Sequence, residues 1–346
     1  MNAKHSPLKS LRPKSRSPLY HLPEAILTFI SIIAIYYICG LLFSGDDDRK
    51  MTLPDPKYRL SVVPGFFQQS ETNTDVSLLD YAKKNFGLID RNYETDAEFD
   101  SERKFTQWQR FARYVEHLRK DADYRVLYLG RHGQGWHNVA ESYYGTAEWD
   151  RYWSKLEGGT IDSETVSWSD AHLTARGIQD ALAVNAFWRE SLQVAKMPAP
   201  QKYYTSPFHR CCATANLTFS DLDLPSNQPF VPVIKELLRE TNGEHTCDRR
   251  SNASYIHSEF LTYQFESGFS ESDELWRPDE RESESEMTKR LHAALEDIFE
   301  HEPDSAFISI TGHSGSTAAI LRAIGHRAFA LPTGGAMAVF VKVEKQ

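Results

Sequence analysis

Four short segments of this 346-residue chain end apolar runs with groups able to do chemistry. They are Gly130–Asn138 (GRHGQGWHN), Ser206–Arg210 (SPFHR), Lys235–Glu240 (KELLRE) and Thr311–Gly315 (TGHSG). Brought together, they would supply two arginines, two histidines, an asparagine and a carboxylate. That set suits phosphoryl transfer. A phosphomonoester is close to a dianion at neutral pH, so its site needs fixed positive charge and aimed donors. Arginine provides a planar fork that cannot lose its proton. Histidine, titrating near about 6.5, is largely neutral at pH 7 and can attack phosphorus through nitrogen. One histidine would carry the phosphoryl group and a second would steady the charge on its oxygens. A carboxylic acid would protonate the leaving alcohol and then activate water. No metal or other cofactor is demanded, and no H-E-x-x-H or clustered aspartate pattern offers a metal site.

These segments matter only if the fold gathers them. Arg125–Leu129 is a short apolar run that predicts a buried strand. Lys202–Thr205, Val231–Ile234, Ala306–Ile310 and Ala338–Val343 read the same way. Helical spacing appears from Phe105 through Trp108, Phe111, Val115 and Leu118, then over Thr174–Val194 and Met287–Glu300. Strands alternating with helices at this spacing predict an α/β fold, a three-layer sandwich around a mostly parallel sheet. In such sheets ligands gather beyond the carboxyl ends of the strands, where all four segments fall.

The composition is that of a globular protein, 40% hydrophobic and 25% charged, which excludes wholesale disorder, collagen-like sequence and a polytopic membrane protein. A net charge of −9 argues against nucleic acid as a partner. Residues 1–23 hold five basic side chains and no acid, so −14 falls on the rest. Four cysteines are too few for a disulfide-built fold, and Cys211-Cys212 cannot bridge to each other in ordinary geometry. One segment departs from the soluble pattern. Ala25–Phe43 is an uncharged run of 19 residues, long enough as a helix to span about 28 Å, near a bilayer's hydrocarbon thickness. Basic residues precede it and Asp46-Asp47-Asp48 follow, so the positive-inside rule predicts a single-pass type II anchor with the catalytic domain luminal in the secretory pathway. Bulky Leu41-Leu42-Phe43 oppose a cleaved signal peptide, and a mitochondrial membrane is the lesser alternative. The expected organisation is a basic tail (1–24), the membrane helix (25–43), a Pro- and Gly-punctuated stalk (44–75) and a catalytic domain (76–346), with 249–285 as a lid insertion.

RHGQGWHN (Arg131–Asn138) resembles the RHG signature, with its trailing asparagine, of the histidine phosphatase superfamily in its phosphoglycerate mutase branch. LTARGIQDA, SPFHRCCATA, LLRETNGEHTCD and TGHSGSTAAIL follow in the order the branch displays. From about Val63 to Lys345 the chain looks most like the fungal phosphoglycerate-mutase-like proteins, including PGFFQQ at Pro64–Gln69. The resemblance implies His132 as nucleophile and Arg131, Asn138, Arg210 and His313 as the phosphate pocket. It implies Glu240 as general acid, with Glu236 and Glu244 one turn to either side as alternatives. His137, His172 and His209 are expected to be packing or rim residues. The membrane anchor is not implied by the family.

Within that family the expected reaction is phosphomonoester hydrolysis of a small phosphorylated substrate. The mutase pattern reads like RHGESxWN, and here Gln134-Gly135 replaces its Glu-Ser pair. A phosphomutase and a catalytically inactive, membrane-tethered binding protein remain the alternatives. An esterase built on Ser314 fails on chain order: only His326 follows Ser314, and no acid lies between them. Two sequons, Asn216-Leu217-Thr218 and Asn252-Ala253-Ser254, make a glycoprotein the expected consequence of a luminal domain.

Overall fold

The computed structural model describes residues 53–75 and 85–346. The apolar run Ala25–Phe43 and its flanks lie outside them. Among the described residues no helix is long and apolar enough to cross a membrane.

Seven strands form the central sheet: β1 (Tyr58–Val62), β2 (Asp123–Arg131), β5 (Lys202–Thr205), β6 (Val233–Ile234), β7 (Gln264–Phe265), β8 (Phe307–Gly312) and β9 (Ala336–Lys345). Their order is β1-β9-β2-β8-β5-β6-β7. A separate antiparallel pair, β3 (Gly158–Ile161) and β4 (Glu164–Ser167), stands apart from it. From β2 to β7 all neighbours pair parallel, and β9 runs antiparallel to both β1 and β2. The main helices are α1 (Gln107–Leu118), α2 (Trp136–Tyr144), α3 (Thr146–Arg151), α4 (Ala175–Glu190), α5 (His209–Phe219), α6 (Ala253–Glu259), α7 (Glu284–His301) and α8 (Ser314–Ala323).

The apolar runs are continuous because the sheet is covered on both faces. Along β2, Leu127 and Leu129 point into one core with Leu291, Leu295 and Ile298 of α7 and Ile320 of α8. Val126 and Tyr128 alternate to the opposite core with Trp108 and Phe111 of α1 and Phe187 and Trp188 of α4. Each such buried side chain contributes about 1.5–3 kcal/mol. The result is the expected three-layer α/β sandwich.

Three details differ from the sequence expectations. Residues 58–62, expected in the stalk, form edge strand β1, paired Leu60 to Val343, and Phe66 and Phe67 just beyond are buried. The run Val231–Ile234 shortens to Val233–Ile234, because Pro232 has no N–H to give a ladder. Residues 249–285, expected as a lid, add α6 and β7 to the far edge of the sheet. Tyr263 and Ile256 pack there with Cys212 and Ile234, and Phe260, Phe265 and Phe269 lean on them. Arg250 ties this insertion down with hydrogen bonds to the carbonyls of Ser251, Ser270, Glu271 and Ser272 and an ion pair to Glu236. Of its aromatics Tyr263 is buried and Phe260, Phe265 and Phe269 are half-buried against it, while exposed Tyr255 sets its hydroxyl 3.2 Å from His172 Nε2.

Candidate active site

The register of the sheet sets the site. Arg131 on β2 pairs with Gly312 on β8, so His132 and His313 leave adjacent parallel strands at the same level. Their rings stand 5.1 Å apart at 67°. Thr205 on β5 pairs with Thr311 and with Ile234 on β6, which delivers Arg210 and Glu240 to the same rim.

His132 is held on several sides. Its N–H donates to Gly312 O (3.0 Å) and its carbonyl accepts from Gly334 N (2.9 Å). Ring Nδ1 lies 2.7 Å from Gly133 O. A carbonyl can only accept, so Nδ1 carries the proton and Nε2 is left with its lone pair. Burial, then the Arg210 charge, holds the imidazole well below the ordinary histidine range. It is therefore neutral at pH 7, as a nitrogen nucleophile must be.

The loop that carries it is clamped by close backbone packing. A Cβ on Gly133 would come within 2.2 Å of Gly177 O, and one on Gly177 within 2.0 Å of Gln134 O. Both positions need glycine for that approach. Gly133 N donates to Thr214 Oγ1 (3.0 Å) on α5. Thr174 caps α4 by accepting from Gly177 N (3.1 Å) and donates to Gln134 Oε1 (2.8 Å). Such a cap stabilises by about 1 kcal/mol and here also fixes the loop. The LTARGIQDA segment thus acts by holding the RHG loop.

Of the two arginines, Arg210 is buried and Arg131 half-buried. Arg210 is 1% exposed and sits 4.6 Å over the Phe208 ring. Its Nη1 donates to Cys247 O (2.7 Å), and its Nη2 faces Asp248 at 3.4 Å. Arg131 Nη1 donates to Leu331 O (2.7 Å). The Nε–H of each arginine is buried without a partner among the described residues. His313, fully buried, has Nε2 2.7 Å from Ser206 Oγ, and burial with the nearby Arg210 charge keeps it neutral as well. Asn138 accepts from Gly135 N through Oδ1 (3.0 Å), which assigns its amide NH2 end to any further donation.

Glu240 is distinguished from its neighbours by its contacts. Its Oε2 accepts from Gly315 N (2.9 Å) at the start of α8 and its Oε1 from Thr241 N (3.0 Å). Burial, then the charge of Asp248, pushes its carboxyl above the ordinary range, against the pull of those N–H groups and Arg210. Glu236 instead pairs with Arg239 and Arg250, and Glu244 faces Lys155 at 3.7 Å. The neighbouring Arg239 and Arg249 are engaged by Asp273 and Glu157.

The structure thus brings Arg131, His132, Arg210, Glu240 and His313 to one rim, with Asn138 on the first turn of the helix that follows the loop. His137 joins them more closely than its sequence position suggests: its ring is 5.2 Å from that of His132. His172 and His209 stack on each other at 3.6 Å beside the rim. Cys211, Cys212 and Cys247 are buried free thiols, and burial raises all three away from reactivity. Among the described residues, His245, Cys247 and Asp248 place ligand-type atoms within 4.8 Å of one another. Asp248 is already paired with Arg210 and Arg281, whose charges oppose a cation there.

Residues 158–333 match the histidine phosphatase superfamily (branch 1), a span that includes Arg210, Glu240 and His313 and begins beyond His132. The chain is 50% identical over 293 residues to an Arthroderma benhamiae protein named "Probable phosphoglycerate mutase", covering 84% of this chain and 86% of that one. It is 34% identical to "Phosphomutase-like protein 3" of Candida albicans, covering 85% of this chain and 82% of that one. A Saccharomyces cerevisiae protein, also named "Probable phosphoglycerate mutase", is 32% identical, covering 82% of this chain and 96% of its own length.

Proposed function

The chain belongs to the histidine phosphatase superfamily, and from that premise we propose that it hydrolyses phosphomonoesters of small metabolites through a phosphohistidine on His132. The observation that carries this reading is the hydrogen bond from His132 Nδ1 to Gly133 O, which leaves Nε2 as a neutral nucleophile beside the guanidinium groups of buried Arg210 and half-buried Arg131. A bound phosphoryl group would satisfy the Nε–H groups of Arg131 and Arg210, each of which otherwise costs about 1–3 kcal/mol as a buried orphan. His132 Nε2 attacks phosphorus as the P–O bond to the leaving group breaks. Arg131, Arg210, His313 and Asn138 hold the phosphoryl oxygens. Glu240, whose burial favours the protonated form, gives its proton to the departing alkoxide. As carboxylate it then takes a proton from the water that attacks phosphohistidine, which releases orthophosphate and restores His132.

The names of the relatives favour a phosphomutase as the second reading. Against it, the Gln134 side chain is spent on Thr174 and Gly135 offers no side chain, so this loop lacks the polar pair of the mutase pattern. A mutase must also keep water from its phosphoenzyme. We further propose that Ala25–Phe43 anchors the chain as a type II protein, a reading supported by the charge asymmetry of its flanks. The deciding assay is a phosphomonoester panel on the full-length chain in detergent. Stoichiometric orthophosphate release supports hydrolysis, and phosphoryl transfer between glycerate positions without orthophosphate would replace it with the mutase.

A further inference from the structure

His137 occupies the first turn of α2, two residues beyond the glycine-rich loop. Its Nδ1 is buried and has no hydrogen-bond partner among the described residues. The reason it is sealed is Gly135: a Cβ there would come within 2.7 Å of Nδ1 and 2.8 Å of Cε1. The Nδ1–Cε1 edge of the imidazole therefore occupies space that only glycine at 135 leaves free. An N–H with no acceptor is costlier to bury than a lone pair facing a Cα, so the proton belongs on Nε2. The ring stands beside a cluster already rich in positive charge. His132 is 5.2 Å away between ring centroids, and Arg131 and Arg210 are close enough for their charges to act on the ring. A histidine that merely packed would sit among apolar side chains or give its N–H to a carbonyl. This one is held beside the nucleophile with one nitrogen closed off and the other uncommitted.

We infer that His137 is a further catalytic residue, whose Nε2–H donates to an oxygen of the phosphoryl group as it passes to His132. The inference rests on the phosphohydrolase reading and adds a third imidazole to the pocket. It also gives Gln134-Gly135 a purpose, since a serine side chain at 135 would collide with the ring.

The test uses the full-length chain carrying His137→Phe, which keeps a planar ring and removes the donor, and His137→Gln, which keeps an N–H. Both are compared with wild type and His132→Ala. Loss of one aimed donor lowers kcat/KM for an aryl phosphate by roughly 100-fold in His137→Phe and far less in His137→Gln. Binding of orthovanadate, read by calorimetry, weakens in parallel while the thermal midpoint stays with wild type. Wild-type kcat/KM and wild-type vanadate affinity in His137→Phe would overturn the assignment. Equal losses in both variants with a fallen thermal midpoint would also overturn it, as a packing role. If the wild type binds vanadate but releases no phosphate, the hydrolase reading fails by itself. The vanadate affinities of the two variants still decide the place of His137.

Discussion

A single methyl group placed on Gly315 should disable the general acid and spare the rest of the site. Gly315 N donates to Glu240 Oε2 at 2.9 Å, and a Cβ built on Gly315 would stand 2.0 Å from Oε1 and 2.9 Å from the carboxyl carbon. Carbon and oxygen approach to about 3.3 Å at closest in ordinary contacts, so the carboxyl must retreat by more than about 1 Å. The backbone of α8 has no cause to move, because Gly315 sits in ordinary helical conformation and alanine is the better helix former by up to about 1 kcal/mol. Misplacing a catalytic group by that distance costs about 100-fold, or about 2.7 kcal/mol in the barrier. The loss should be selective. An alkyl phosphate, whose alkoxide needs a proton, should slow by about that factor in Gly315→Ala, and an aryl phosphate, whose phenolate leaves unaided, should slow several-fold at most. Steady-state kcat/KM on the two substrates, with Glu240→Gln alongside, reads the effect, and the thermal midpoint should hold. Equal losses on both substrates, or no loss on the alkyl phosphate, would refute the placement of Glu240 as the acid.

Other outcomes follow from the same geometry. Burial and Arg210 lower His132 while burial and Asp248 raise Glu240, so neutral nucleophile and protonated acid coexist on the acid side of neutrality. A bell-shaped pH–kcat/KM profile should peak there, with an alkaline limb that disappears in Glu240→Gln; a rate rising steadily into the alkaline range would contradict it. Stability should share the acid limb: His132, His137 and His313 are all held well below 6.5, so the unfolded chain takes up protons that the fold refuses, and the thermal midpoint should fall as pH drops below about 6.5. Arg210→Lys should recover little of the loss seen in Arg210→Ala, at least about 2.7 kcal/mol, because an ammonium cannot make a forked contact, as kcat/KM will show. For the anchor, Asn252 is exposed at the N-cap of α6 in extended backbone, whereas Asn216 lies partly buried inside α5. An endoglycosidase shift lost in Asn252→Gln, with the domain protease-protected in sealed microsomes, is the expected result, and digestion of an unglycosylated domain would contradict the type II topology.

The strands that position the site were legible because a sheet covered on both faces demands unbroken apolar runs, and β2, β5 and β8 display them. Reading just past each run found Arg131, His132, Arg210 and His313 without knowledge of pairing. Edge strand β1 escaped because YRLSV is only half-buried and carries no such run. The choice of Glu240 over Glu236 and Glu244 was equally beyond spacing, since all three sit in one short segment. The three differ in their long-range partners: Gly315 from α8 for the first, Arg250 for the second and Lys155 for the third. His137 looked like a rim residue because nothing local reveals that Gly135 opens a berth for its ring. The aromatics of 249–285 read as a lid, whereas Tyr263 is buried with Cys212 and Ile234, and Phe260, Phe265 and Phe269 lean on them, through contacts with elements earlier in the chain.

The central claim is that phosphorus becomes bonded to His132, and it can be read directly. The full-length chain mixed briefly with a phosphate-labelled aryl ester and quenched in base should retain label that is stable to alkali, released by acid, and recovered on the peptide containing Arg131–Asn138. The label should be absent from His132→Ala and should build up in Glu240→Gln, where water is no longer activated. Rapid orthophosphate release by wild type with no such label, or the same label in His132→Ala, would contradict the account.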